Sequence, residues 1–371
     1  MDPKAYWVAF NLVKGIGAVR MRAVLDAFEG DLEAAWRAPG ERLRAAGLSP
    51  RIVENLTAVR KRVDLAEYWE KIRKLGIRVI TWNEDDYPRR LLEINQPPPV
   101  IYLRGTLTPE DGRAVAIVGT RRITAYGRQV SEDLATFLAL NGVTVVSGLA
   151  RGVDAVAHAA AVKAGGRSLA VMGCGVERIY PPEHRQLAEQ LIAHGGLLSD
   201  YAPGTPPESA NFPPRNRIIS GLAMATVVVE AGEESGALIT ATFAGEQGRE
   251  VFAVPGSILA PQSRGCNRLI AEGAHPLLTP QDVLDVLKLD GREVPPPAML
   301  ALPADEIEAR LLQVVGSQPL HVDDIRAQSG LPIEKVTAAL AIMELKGMVK
   351  QVGGMHYVGV REEMGSYEVE A

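Results

Sequence analysis

Four turns in this sequence bring together the residue types best suited to holding an anion. Gly119-Thr120-Arg121-Arg122 follows an apolar run, Ala114–Val118, and leads into a helical stretch. At such a turn the free N–H groups and the helix dipole point the same way, toward negative charge. Thr120 adds a hydroxyl, and Arg121 a planar fork suited to phosphate. Ser147-Gly148-Leu149-Ala150-Arg151-Gly152-Val153-Asp154 is a second turn with an arginine. There Asp154 is placed to cap the following helix or to hold Arg151. Asp154 and His158, four apart, read either as an acid–base pair or as ties between helix and loop. In Phe212-Pro213-Pro214-Arg215-Asn216-Arg217, two arginines flank an amide at a helix start. That spacing suits two successive phosphates, and pairing with carboxylates across a sheet end is the alternative. Ser235, Gly236 and Thr240 form a fourth turn, of hydroxyls and amides, after the run Thr226–Glu230. Cys174, between Gly173 and Gly175, reads as a thiol nucleophile or as a small residue in a tight turn.

Four such turns exceed the needs of one mononucleotide and suit a ligand with several phosphates. The dinucleotide fingerprint G-x-G-x-x-G is not met, because Arg121 occupies the second glycine's place and obstructs a pyrophosphate. The patterns G-x-x-x-x-G-K-[ST], H-E-x-x-H and G-x-S-x-G are absent. No cofactor is expected. Two cysteines, Cys174 and Cys266, make no C-x-x-C pair, so neither a disulfide framework nor a structural metal is expected.

These turns need a sheet behind them. The runs Ile77–Trp82, Val100–Leu103, Ala114–Val118, Val143–Ser147, Leu169–Met172, Leu197–Ser199, Thr226–Glu230 and Val251–Val254 are mostly continuous apolar blocks, which implies strands covered on both faces. Helical stretches separate many of them. The expected class is α/β, an extended Rossmann-like, doubly wound, mostly parallel sheet over residues 75–288. Ligands of such sheets bind beyond the carboxyl ends of the strands, where the turns above lie.

A small helical domain is expected at 1–65. Its segment Lys14-Gly15-Ile16-Gly17-Ala18-Val19-Arg20 resembles a helix-hairpin-helix turn, with a plain helix–turn–helix as the alternative. A proline-rich linker is expected at 289–304. Residues 305–360 predict a winged helix: helices Ile307–Val315, Val322–Gln328 and Glu334–Lys346, then a hairpin of Met348–Val352 and Met355–Val358.

The net charge is −5 and the mean hydropathy +0.02. Residues 1–80 carry 15 Lys/Arg against 10 Asp/Glu, so the remainder is acidic. A polyanion would have to be met by a local arginine cluster. Residues 305–350 carry five Lys/Arg against seven Asp/Glu, and their third helix is mostly Ala, Leu, Ile and Met. That composition predicts protein contacts or regulation over duplex reading. No apolar stretch long enough to span a bilayer and no signal pattern is present, which predicts a cytoplasmic protein.

The run Val115–Leu284 closely resembles the DprA (Smf) family of bacterial DNA-processing proteins. The resemblance is carried by Val115–Arg121, Ser147–Asp154, Tyr180-Pro181, Phe212–Ile219, Glu230-Ala231, Ser235–Thr240 and Val254–Ser257. It implies a cytoplasmic homodimer that binds single-stranded DNA, works beside single-strand-binding protein and loads the RecA recombinase in natural transformation, without catalysing a reaction. By resemblance, the family's arginines fall on Arg121, Arg215 and Arg217. After Tyr180-Pro181 the family often has lysine; Pro182 stands here, and Arg185 is the basic residue that follows. The dimer interface is implied near Leu269, Ile270, Leu277 and Leu278. A Rossmann-like phosphoribohydrolase is the alternative, though Glu230–Leu238 lacks the second glycine pair and spaced glutamate of P-G-G-x-G-T-x-x-E. Tyr126, Tyr180 and Phe212 are candidates to stack a base or to pack internally.

Overall fold

The computed structural model describes residues 1–289, 306–316, 318–345 and 348–359. One compact unit runs Met1–Glu293 and a second Val294–Ala371. From residue 290 the expected linker lies outside the described residues, as does Lys346.

A nine-stranded sheet organises the first unit. Its strands are β1 (Arg78–Thr81), β2 (Val100–Gly105), β3 (Ala114–Val118), β4 (Thr144–Ser147), β5 (Ser168–Val171), β6 (Gly195–Ser199), β7 (Ala225–Val228), β8 (Glu250–Ala253) and β9 (His275–Pro276). Their order is β1-β2-β6-β5-β4-β3-β7-β8-β9. The seven strands from β6 to β9 are parallel, and β1 and β2 pair antiparallel at one edge. Strands β3, β4 and β5 are buried at every position. That burial is why their sequences do not alternate: helices cover both faces. The chain winds outward from β3 through β4 and β5 to β6, then crosses back to β7 on the other flank of β3. The topological switch point is therefore the β3/β7 boundary.

Among the described residues six helices precede β1, from Pro3–Asn11 to Leu65–Lys74. Asp2 caps the first, its carboxylate accepting from Lys4 N at 2.9 Å, with Pro3 inside the first turn. The helical segment thus extends past residue 65, and its core is shared with the sheet. Trp7, Phe10, Leu43 and Leu56 pack in one cluster with Val79 of β1 and Val100 and Tyr102 of β2. This packing covers one face of β1 and β2, whose apolar side chains would otherwise meet water. Trp7 and Trp82 meet edge to face, centroids 6.2 Å apart.

The second unit is the expected winged helix. It comprises helices Glu306–Val314, Val322–Ser329 and Ile333–Leu345 with strands β10 (Leu320–His321), β11 (Val349–Gly353) and β12 (His356–Gly359), ordered β10-β12-β11. Leu311, Ile325, Val336, Leu340 and Met343 form its core.

Candidate functional site

The loops leaving β3 and β7 part at the switch point and open a cleft of about 480 Å³. Its lining includes Gly119, Thr120, Arg121 and Arg122 after β3, Ala150 and Asp154 after β4, and Ser235, Gly236, Ile239 and Thr240 after β7. Helix Phe212–Leu222 contributes Phe212, Arg215, Asn216 and Ile219, and Tyr180, Pro207 and Ser209 complete the wall. Three arginines therefore face one carboxylate, Asp154, and the cleft is cationic in an acidic chain.

The β3 loop is fixed by backbone bonds to its neighbours. Thr120 N donates to Glu230 O at 2.7 Å, and Val153 N donates to Thr120 O at 3.2 Å. Arg122 N donates to Thr120 Oγ1 at 3.1 Å, so the hydroxyl shapes the turn. The buried Glu230 carboxylate accepts from Thr124 N at 3.0 Å and Thr124 Oγ1 at 2.5 Å, tying the β7 loop to the helix after Arg122. Gly152 has φ +79°, and a side chain there would overlap Thr120 O, so the two arginine-bearing loops touch through a glycine.

Arg121 and Arg122 lie exposed at the mouth, and among the described residues neither forms an ion pair. The Arg121 guanidinium carbon stands 5.8 Å from the centroid of Phe212. Arg215 stands 5.7 Å from the same ring, and Tyr180 leans on it with centroids 5.7 Å apart. Phe212 is thus a common support for two cations and a tyrosine.

Arg215 forms the cleft floor and is only 4% exposed. Its Nη1 donates to Gly148 O at 3.0 Å and to Val171 O. Burial lowers its pKa, opposed by Asp154. Asp154 is buried too, and burial raises its pKa, opposed first by Arg215. Its Oδ2 accepts from Gly148 N at 3.0 Å and Ala150 N at 3.3 Å. The pair locks the β4 loop.

Several expected site residues are engaged within the protein or lie outside the cleft lining. Ser147 Oγ donates to Ile117 O at 2.6 Å and is fully buried. Gly148 gives its N–H to Asp154 and its carbonyl to Arg215. Arg151 pairs with Glu183 at 2.5 Å, and neither Arg151 nor Arg185 lines the cleft. Arg217 pairs with Asp200 at 2.9 Å and faces away from the cleft. Residues two apart on a helix point about 200° apart, which sets Arg215 in the cleft floor and Arg217 on the other side of the helix. Leu277 lies in the sheet core, its side chain 6% exposed; Leu278 is 73% exposed, and Leu269 and Ile270 are half-buried.

The acid–base reading of Asp154 and His158 does not hold. His158 is fully buried, with Nδ1 2.7 Å from Ser168 Oγ, and burial lowers its pKa to about 3. Cys174 is also buried, its thiol 3.2 Å from Arg178 O and its pKa raised to about 11, chiefly by burial. A thiol so protonated is a packing group. Pro207 and Ser209 were not signalled, because they line the wall outside any motif in the sequence.

Fold and site define a Rossmann-like α/β protein with a cationic cleft at its switch point, followed by a winged helix. Residues 78–288 match the family described as DNA recombination-mediator protein A, and residues 295–355 match the DprA winged helix domain. The chain belongs to the DprA (Smf) family. It is 36% identical to Protein Smf of Synechocystis, over 95% of this chain and 98% of that one. It is 40% identical to the DNA processing protein DprA of Bacillus subtilis, over 68% of this chain and 88% of the relative. The X-ray structure of DprA from Streptococcus pneumoniae superposes with a TM-score of 0.68 at 33% identity, covering 77% of this chain and 98% of that chain. A DprA structure from Helicobacter pylori, described for its single-stranded DNA binding mode, gives 0.53 at 28% identity, covering 58% and 97%. No described helix is long and apolar enough to cross a membrane.

Proposed function

We propose that this chain binds single-stranded DNA along its sugar-phosphate backbone in the switch-point cleft, and that it serves as a mediator of recombination. The observation that carries the reading is the pair Arg121 and Arg122, both exposed in the cleft lining and without an ion pair among the described residues, with Arg121 beside the Phe212 ring. Free guanidinium forks suit phosphate, and the Phe212 ring backs Arg121 within the cleft. The Helicobacter pylori relative, described as binding single-stranded DNA, supports the assignment. Thr120, Asn216, Ser235, Gly236 and Thr240 supply polar groups along the same wall.

The function needs no bond to break, and the buried His158 and Cys174 supply neither a base nor a nucleophile. Acting in the cytoplasm as a homodimer, the protein would pass its strand from single-strand-binding protein to the RecA recombinase. Titration of the full chain with a poly-dT oligonucleotide at two salt concentrations, with duplex as control, tests the binding step. Two or three neutralised phosphates, at Arg121, Arg122 and the Arg215 floor, give a log–log salt slope of about −1.4 to −2. Binding to duplex as tight as to poly-dT, or no salt dependence, rejects the reading.

A further inference from the structure

We propose that Asp200 is a positioning residue that sets helix Phe212–Leu222 against the cleft, and that its partner Arg217 acts within the protein and not on phosphate. The inference rests on the cleft reading given above and deepens it.

Asp200 directly follows the last residue of β6, Ser199. Its Oδ2 accepts from Arg217 Nη2 at 2.9 Å, and both side chains are less than one-fifth exposed. Arg217 Nη1 donates to Pro214 O at 3.2 Å, so both ends of the fork are engaged. The next residue repeats the tie: Tyr201 Oη donates to Asn211 O at 3.1 Å, and Asn211 precedes the helix. Residues 200 and 201 therefore hold the helix at its start and at its second turn.

The same short segment is held from its other side by the N-terminal helices. Asn11 Nδ2 donates to Asp200 O at 3.3 Å, and Tyr68 Oη donates to Pro203 O at 2.6 Å. Tyr102 Oη donates to Asn11 Oδ1 at 2.9 Å, which orients that amide. Residues 200–203 form a strap between the helical segment and the one helix that carries Phe212, Arg215 and Asn216 to the cleft. Shifting this helix moves the aromatic support of Arg121 and the buried floor together.

The two possible roles of Arg217 predict opposite signs. If Arg217 meets phosphate, removing Asp200 deletes a competing negative charge and tightens DNA binding. If it positions the helix, removing Asp200 loosens the helix and weakens binding. The full chain and its variants Asp200→Asn, Asp200→Ala, Arg217→Ala, Asp200→Ala/Arg217→Ala and Arg121→Ala are titrated with poly-dT at two salt concentrations.

We expect Asp200→Ala and Arg217→Ala each to weaken binding by about tenfold, the effect of one charge-assisted hydrogen bond. The double variant should be no weaker than the weaker single. The salt slope should stay at the wild-type value, because no phosphate contact is lost. Asp200→Asn keeps an acceptor and should fall between wild type and Asp200→Ala. Should Asp200→Ala fail to fold in a thermal melt, Asp200→Asn carries the sign test alone. Tighter binding on loss of Asp200, or a slope reduced by about 0.7 in Arg217→Ala, overturns the inference. The Arg121→Ala arm separates the two levels. If it binds DNA like wild type, the cleft reading itself fails; if it weakens binding while the Asp200 variants tighten it, only the positioning role fails.

Discussion

Asp154 and Arg215 meet around the α-carbon of Gly148: a β-carbon built there would stand 2.8 Å from Asp154 Oδ2 and 2.7 Å from Arg215 Nη2. The acid takes the glycine's N–H and the arginine takes its carbonyl. Two buried charges are thereby compensated by each other and by backbone dipoles, which burial of ions requires. Gly148→Ala should destabilise the fold by about 1–3 kcal/mol, as overpacking does, and should weaken DNA binding through the displaced cleft floor. Chemical denaturation with a parallel poly-dT titration reads both; an unchanged midpoint contradicts the geometry.

Arg121 is exposed and makes no ion pair among the described residues, so the fold does not depend on it. Arg121→Ala should leave the melting temperature unchanged and weaken poly-dT binding by about 1.5–3 kcal/mol. One lost phosphate contact should also reduce the magnitude of the salt slope by about 0.7. Unaltered affinity would remove Arg121 from the interface.

Much of this organisation is legible in the sequence, and the misses have physical causes. Parallel strands buried on both faces produce unbroken apolar runs, so β3, β4 and β5 stand within a residue of their expected bounds. Strands β9 and β10 have two residues each and leave no pattern to detect. The Gly-Thr-Arg-Arg turn was legible because its chemistry is local: hydroxyl, glycine and arginine sit side by side. Arg215 was misleading for the opposite reason. Its partners, Gly148 O and Val171 O, lie 67 and 44 residues away, so nothing nearby announces a buried guanidinium. Asp200 belongs to no motif. Its one signal was its place at the carboxyl end of a strand, where ligands and their supports gather.

His158 makes the protein acid-sensitive. Burial first, then His184 and Arg215, lower its pKa from 6.5 to about 3. The unfolded chain binds a proton at this site below about 6.5, whereas the folded chain stays neutral until far lower. The unfolded state therefore holds more protons in that window, and stability is lost as pH falls from 6.5 toward 3. The loss approaches about 1.4 kcal/mol per pH unit. His158→Gln should flatten the dependence between about pH 4 and 6 in urea denaturation, relative to wild type; parallel curves contradict it.

Cys174 should be inert in the folded protein. Its thiol is buried and its pKa raised to about 11, so almost none is thiolate near neutrality. Iodoacetamide at about pH 8 should modify it only after denaturant is added, and Cys174→Ser should keep poly-dT affinity. Rapid alkylation of the native chain would show an accessible thiolate and reopen a nucleophilic role.

The winged helix offers the sharpest conflict between shape and charge. A groove-reading helix presents basic and amide side chains to the duplex. Helix Ile333–Leu345 buries Val336, Leu340 and Met343 in its own core. Among the described residues its exposed positions are Glu334, Lys335, Ala338, Ala341, Ile342 and Glu344, one lysine and two glutamates. Ile342 is 48% exposed, an apolar residue in the middle of that face. Such a face offers phosphates little positive charge, and a protein contact is the expected role. Ending the chain at Glu293, the boundary of the first compact unit, should leave affinity for both poly-dT and duplex within about twofold of the full chain, a change under 0.5 kcal/mol. A tenfold fall in duplex affinity alone would mean that the winged helix contacts duplex and would overturn the expectation.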